Sequence, residues 1–176
     1  MYTRMLSRIK AEAEPVDFEK LYKEEVNRIY NYFRFKMGDS ALAQDLTSET
    51  FERAWRNRRK YRNDLAAFST WLFAIARRVV VDYLRKHKPV ISIESVEHVL
   101  IQEQTEEVVQ KRVDFARLHL LLSQLAERDR ELVALRYGAG LTNRAIARLT
   151  GLSESNVGVS LHRLVQKLRK EWEEEL

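Results

Sequence analysis

Apolar residues recur at helical spacing along most of the chain. Phe18, Leu21, Tyr22, Val26, Ile29, Tyr30 and Phe33 mark one face of a first helix, and Gly38 is its stop. Asp39 can cap a second helix with Leu42, Leu46, Thr50, Phe51, Ala54 and Trp55 on its inner stripe. A polar, basic connector from Asn57 to Asp64 leads to a third helix, marked by Phe68, Trp71, Leu72, Ile75, Val79 and Tyr83. That helix should fade by Lys88, because Pro89 disfavours helix in the residue before it. From Pro89 to about Gln110 the pattern weakens. Val90, Ile91 and Ile93 suit a short extended piece or a packing contact, and residues 102–110, QEQTEEVVQ, read as a solvated linker running into the next helix. Helical spacing resumes at Val113 with Leu118, Leu121, Leu122 and Leu125. It continues through Leu132, Val133, Leu135 and Tyr137 until Gly138 and Gly140 break it. The expected fold class is all-α: two small helical domains joined by an acidic linker, with bounds 1–88, 89–112 and 113–176.

The stretch LTNRAIARLTGLSESNVGVSLHRLVQKLRK, Leu141 to Lys170, is the most specific piece of the chain. Thr142 can cap a short helix with Ile146 and Leu149 facing inward and small Ala147 where two helices approach. Gly151 supplies the left-handed turn of a tight junction, and Leu152 buries it. Ser153 caps a second helix with Val157, Leu161, Leu164, Val165 and Leu168 on its inner stripe. The order Ala, Gly, apolar, Val is what a helix-turn-helix requires. On the outer face stand Ser155, Asn156, Val159, Ser160 and Arg163, followed by Lys167, Arg169 and Lys170. Asn can read adenine, Arg can read guanine, and hydroxyls and cations hold phosphates. The plainer alternative is an αα-hairpin with a solvated polar face.

Charge sharpens this picture. Residues 1–88 hold 19 Lys/Arg against 12 Asp/Glu, residues 89–110 hold five Glu and no Lys/Arg, and residues 111–176 hold 12 against nine. Two basic blocks therefore flank an acidic connector, and basic blocks invite polyanions, although simple solubility accounts for a balance this modest equally well. With no cysteine in the chain, disulfides, thiolate nucleophiles and cysteine-ligated zinc are excluded. The four histidines, His87, His98, His119 and His162, lack metal-ligand spacing, and neither a P-loop nor a dinucleotide-binding glycine motif is present. No metal, cofactor or catalytic residue is expected. The N-terminal MYTRMLSRIKAEAEP is basic but has no apolar centre, and no apolar run approaches the ~20 residues that span a bilayer. A cytoplasmic protein without membrane insertion is the expectation.

Taken together, these motifs resemble a family. The segment LSQLAERDRELVALRYGAGLTNRAIARLTGLSESNVGVSLHRLVQKLRKEW is similar to the C-terminal domain of bacterial sigma factors, which recognises the promoter −35 element. The segments DSALAQDLTSETFERAW and AAFSTWLFAIARRVVVDYLRKHK are similar to their N-terminal core domain, which binds the polymerase clamp and the −10 element. The resemblance covers about residues 18–172 and leaves no room for the further domains of primary sigma factors, which matches the extracytoplasmic-function group. It implies core RNA polymerase and promoter DNA as partners, together with an anti-sigma factor.

The resemblance also implies site residues. Asp45, Glu49 and Glu52 form one acidic stripe at i, i+4 and i+7, expected to meet the polymerase clamp; a solvated face is the plainer reading. Arg58, Arg59, Lys60, Tyr61 and Arg62 in the basic connector, with Arg77, Arg78 and Arg85 on the next helix, are expected at the −10 strand, and Lys86 and Lys88 extend that set. Trp71, Phe73 and Tyr83 read as core or half-buried rather than as stacking platforms, and Asp82 as an ion-pair partner for an arginine. Ser153, Ser155, Asn156, Val159, Ser160, Arg163 and Lys167 are expected at the −35 element. The chain departs from the family pattern at Gly158 and Ser160, where basic residues are common, and at Ala145, where an acidic residue is usual. A stand-alone helix-turn-helix regulator is the competing function. It would account for the last 60 or so residues and leave the basic loop and acidic stripe unexplained.

Overall fold

The computed structural model describes residues 17–87 and 106–174. The expected extended piece around Val90–Ile93, Lys88 and most of the acidic connector lie outside them. Among the described residues the chain is helical throughout, without strands: α1 (Phe18–Met37), α2 (Ser40–Asn57), a 3-10 turn (Arg58–Lys60), α3 (Phe68–Lys86), α4 (Glu106–Ser123), α5 (Glu127–Val133) running into a π-type turn (Ala134–Gly138), α6 (Asn143–Thr150) and α7 (Glu154–Glu174).

Local chemistry explains where these helices begin and end. Asp17 and Asp39 accept hydrogen bonds from the Lys20 and Leu42 amides, at 3.1 and 2.8 Å, and so cap α1 and α2. Thr142 and Ser153 do the same for α6 and α7, through the amides of Ala145 at 3.2 Å and Asn156 at 3.1 Å. Gly151 ends α6 at φ 77°, as the expected turn demands. Helix α4 starts at Glu106, inside the stretch expected as linker. From there to Ser123 the chain has no glycine or proline, and exposed i, i+4 partners such as Lys111–Glu107 support the helix. Four residues assigned to inner stripes face outward: Tyr22, Trp55, Val113 and Tyr137. Trp55 is 49% exposed because it sits in the last turn of α2, with the Arg58 guanidinium 3.8 Å from its ring centroid and only the edge of Phe18 behind it.

Helices α1, α2 and α3 pack as one bundle around Ile29, Phe33, Leu46, Phe51, Leu72, Phe73 and Val79; α4 to α7 pack as a second around Leu122, Leu132, Leu135, Ile146, Val157 and Leu161. The two bundles also meet, and their buried apolar residues form one continuous cluster. Helix α1 lies along the 134–138 turn, and α3 touches α6. At the first contact a Cβ on Gly138 would stand 2.8 Å from the Asn31 carbonyl oxygen and 3.1 Å from the Tyr32 Cα, so only a bare Cα permits this approach.

Polar groups fix the register of this seam. From the second bundle, the Glu131 carboxylate meets the Lys36 ammonium at 2.5 Å, the Arg77 Nε at 2.8 Å and the Tyr32 hydroxyl at 3.1 Å, all three from the first bundle. The Lys36 side chain is 2% exposed and is also paired with Glu127 at 2.6 Å. Burial and the adjacent Glu131 charge raise the Tyr32 hydroxyl well above the ordinary tyrosine value, so it stays protonated and donates. Arg28 Nε donates to the Ala139 carbonyl at 2.9 Å, and Arg77 donates to the Leu149 carbonyl. Phe35 packs edge-on against Phe115 at 5.7 Å, with Arg34 over the same ring at 4.3 Å.

The seam contains one titratable group that resists protonation. The His119 ring of α4 lies against Gly38, which ends α1, and its Nε2 has no hydrogen-bond partner among the described residues. Burial, then the positive charges of Arg130 and Arg34, depress its pKa below the ordinary histidine value. The loosened chain protonates this ring near pH ~6.5 while the packed chain does not. Stability from His119 is therefore fully present above that pH and declines as pH falls below it. Urea midpoints should drop between pH 7.5 and 5.5, and His119→Gln should flatten that difference. An unchanged slope in the variant would remove His119 as its source.

Candidate polymerase and promoter interfaces

The acidic stripe forms as the spacing predicts. Asp45, Glu49 and Glu52 share one face of α2 and, with Ser48, Arg53 and Arg56, line a shallow open groove. Glu49 and Glu52 are bonded to Arg53 and Arg56 one turn along, whereas Asp45 makes no ion pair among the described residues. Arg53 also holds Asp82 at 2.7 Å, and that hydrogen bond lowers the Asp82 pKa and ties α2 to α3. The stripe is thus anionic, with its charge density greatest at Asp45.

The basic connector wraps from α2 to α3 over an aromatic cluster. Arg58 donates to the Trp55 carbonyl at 2.8 Å and covers the Trp55 ring, while Arg59 and Lys60 point to solvent. The Tyr61 hydroxyl donates to the Ala66 carbonyl at 3.1 Å, and its ring packs on Phe68 and Trp71 at 5.4 and 5.2 Å. Tyr61 is therefore a half-buried anchor of the loop with part of its ring accessible. Arg62 is paired with Asp64 at 2.7 Å. On α3, Phe73 is core and Trp71 and Tyr83 are half-buried, as expected. Arg78 is exposed, and Arg85 is exposed and paired with Asp82 at 3.2 Å. Arg77 differs from expectation: its guanidinium is committed to Glu131 and the Leu149 carbonyl in the seam and is not presented to a ligand.

In the helix-turn-helix, Ile146, Val157, Leu161 and Leu164 are buried beneath α6 and α7, while Leu149, Leu152, Val165 and Leu168 are half-buried. Ser153, Ser155, Asn156, Arg163 and Lys167 are exposed, Val159 is 48% exposed and Ser160 is half-buried. All stand on or beside the outer face of α7. The Ser160 hydroxyl donates to Asn156 Oδ1 at 3.2 Å, one helical turn away. This contact orients the Asn156 amide, leaving its NH2 and a second oxygen lone pair for a base edge. Ser160 thus positions a neighbouring side chain, a role that residue type alone does not reveal. Arg144 reaches Glu154 at 3.4 Å across the turn, and Lys167 pairs with Glu171 at 3.7 Å. The first of these pairs escaped the sequence reading because it joins two helices.

An exposed acidic stripe, a basic loop beside an aromatic cluster and an outward-facing second helix are three surfaces of one chain, and comparison with known proteins accounts for all three. Residues 21–90 match the family model of sigma-70 region 2 and residues 115–168 that of sigma-70 region 4. Over 156 residues the chain is 30% identical to the ECF RNA polymerase sigma factor SigM of Bacillus subtilis (strain 168), covering 86% of this chain and 92% of that protein. The chain belongs to the ECF sigma factors.

The ECF sigma factor BldN of Streptomyces coelicolor is also 30% identical, over 165 residues; the match takes in 92% of this chain but spans only 62% of BldN. Two solved structures share the fold at low identity. CnrH, in complex with the cytosolic domain of CnrY, is 21% identical with a TM-score of 0.68, covering 98% of each chain. RpoE of Bartonella quintana, in complex with the anti-sigma factor NepR, is 17% identical with a TM-score of 0.68, covering 88% of this chain and 95% of that one. As a sigma factor, the protein is a transcription initiation factor and not an enzyme. No helix among the described residues is long and apolar enough to cross a membrane.

Gly158 departs from the family pattern inside this sigma factor's recognition helix. A Cβ there would meet only the Asn143 Nδ2, at 3.4 Å, and a glycine in a helix interior costs about 1 kcal/mol relative to alanine. Gly158→Ala should therefore raise stability by roughly 1 kcal/mol in urea denaturation. A loss of stability would mean that Asn143 cannot yield.

Proposed function

We propose that this sigma factor directs core RNA polymerase to promoters by dividing the work between its two helical bodies. Residues 1–88 dock on the polymerase clamp through Asp45, Glu49 and Glu52 and engage the −10 strand through the basic connector and the outer arginines of α3. Residues 113–176 place α7 in the major groove of the −35 element, and residues 89–112 set the span between them. The observation that carries this reading is the presence, in order on one chain, of both sigma-70 regions with their polar surfaces turned outward. A stand-alone regulator would leave the matched first region without a role.

At the −35 element Asn156, held by Ser160, is the base reader, with Arg163 beside it. Ser153, Ser155 and Lys167 suit the phosphate backbone, and Val159 offers an apolar contact to a thymine methyl. At the −10 strand Arg59, Lys60, Arg78 and Arg85 supply cations along the backbone, and Arg58, Tyr61 and Arg62 shape the loop. Working on the polymerase places the protein in the cytoplasm. An anti-sigma factor is included among its partners; the named complexes of CnrH and RpoE, which share its fold, support that reading.

Transcription in vitro tests the whole. Core polymerase plus this protein should start from a specific subset of a promoter library, and polymerase alone should not. Initiation indifferent to the added protein would overturn the proposal. The double variant Asp45→Lys with Glu52→Lys should weaken polymerase binding about tenfold or more through like-charge contact. Asn156→Ala should leave polymerase binding intact and relax base preference at one −35 position by ~1–3 kcal/mol, read by competition between promoter variants.

A further inference from the structure

We infer that this chain carries its own latch: the Glu131 cluster and the Gly138 seat hold the two bodies in a closed form that cannot engage both promoter elements, and polymerase binding must open it. The inhibitory role rests on the function proposed above. The closed form itself rests on the geometry of the seam.

The seam is a built interface. Charges balance within it: Lys36 and Arg77 from the first body face Glu131 and Glu127 from the second, and the Tyr32 hydroxyl completes the Glu131 shell. Lys36 is 2% exposed, so without Glu131 its ammonium keeps only Glu127, which is itself mostly exposed. A second, uncharged contact reinforces the first. Gly138 lies so close to Asn31 and Tyr32 that any Cβ collides with the α1 backbone. The two contacts draw on different physics and join the same two bodies.

The closed form has a functional consequence. Arg77, on the face of α3 nearest the second body, is spent on Glu131 and Leu149 and is withheld from DNA. Helix α6 touches α3 and α7 packs on α6. At two packing distances of about 8–10 Å, the recognition helix approaches α3 to within ~20 Å. Promoter elements centred near −35 and −10 lie about two and a half helical turns apart, ~85 Å along the duplex. Although α7 keeps its outer face exposed, the closed chain can meet one element at a time but not both. The connecting chain from Lys86 to Glu106 can extend to ~70 Å, enough to let the bodies separate.

The absence of cysteine makes the test direct. Glu19→Cys on α1 and Gln166→Cys on α7, both exposed positions outside every proposed contact, accept a donor and an acceptor dye on the full-length chain. The wild-type background should show one high-transfer population that shifts to low transfer when core RNA polymerase is added. Glu131→Ala and Gly138→Ala should each shift most molecules to low transfer without polymerase. Circular dichroism should show native helix content in both. Each should also bind core polymerase about tenfold or more tightly, because a binding-competent form that is scarce weakens apparent affinity in proportion. High transfer retained by both folded variants would overturn the latch, as would low transfer in the unmodified background. Open variants that bind polymerase no better than wild type would overturn its inhibitory role. Failure of every form to bind polymerase, with the distances behaving as described, would overturn the sigma-factor reading and the inhibition together, and leave the latch standing.

Discussion

One carboxylate organises the meeting of the two bodies. Glu131 is the partner that makes a buried Lys36 tolerable, and it does so while holding Arg77 and the Tyr32 hydroxyl. A buried ammonium requires full pairing, and these donors converge only if α1, α3 and α5 sit in one register. The apolar part of the seam is non-directional and would accept many docking angles. The charge cluster, with the close approach at Gly138, selects one.

Such an arrangement suits a protein whose parts must also work apart. The continuous apolar cluster gives the docked bodies a shared interior, yet each bundle has its own buried residues and its own capped helices. Separation would expose the seam without dismantling either bundle. The ionic groups lower the penalty of that exposure, because lysine, arginine and glutamate regain hydration when they part. A purely apolar seam of the same extent would be harder to open. His119 against Gly38 adds a group whose neutral form is favoured only while the bodies are docked.

The outward surfaces follow a different logic. Asp45, the basic connector and the outer face of α7 are held by short-range devices: i, i+4 ion pairs, a capping serine and the Ser160–Asn156 hydrogen bond. These devices fix side-chain direction without needing the rest of the fold. The three surfaces therefore persist whichever way the bodies are disposed. Only Arg77, drawn into the seam, changes its availability with that disposition.

How much of this was legible beforehand differs from element to element. The helices, the caps at Asp39, Thr142 and Ser153, the left-handed turn at Gly151, the acidic stripe and the exposed face of α7 were all readable, because each depends on residues within one or two helical turns. Trp55 and Tyr137 were misplaced on inner stripes because periodicity identifies a face but not what covers it. Lys36, one turn past the apolar pair Tyr32 and Phe33, carried a faint signal of burial, but its partners lie more than 90 residues away. The sequence by itself therefore determined the helices, their ends and their polar faces. Tertiary structure alone decided that Arg77 serves the seam, that Gly138 admits α1 and that Glu131 gathers three donors, because those contacts exist only once distant segments are brought together.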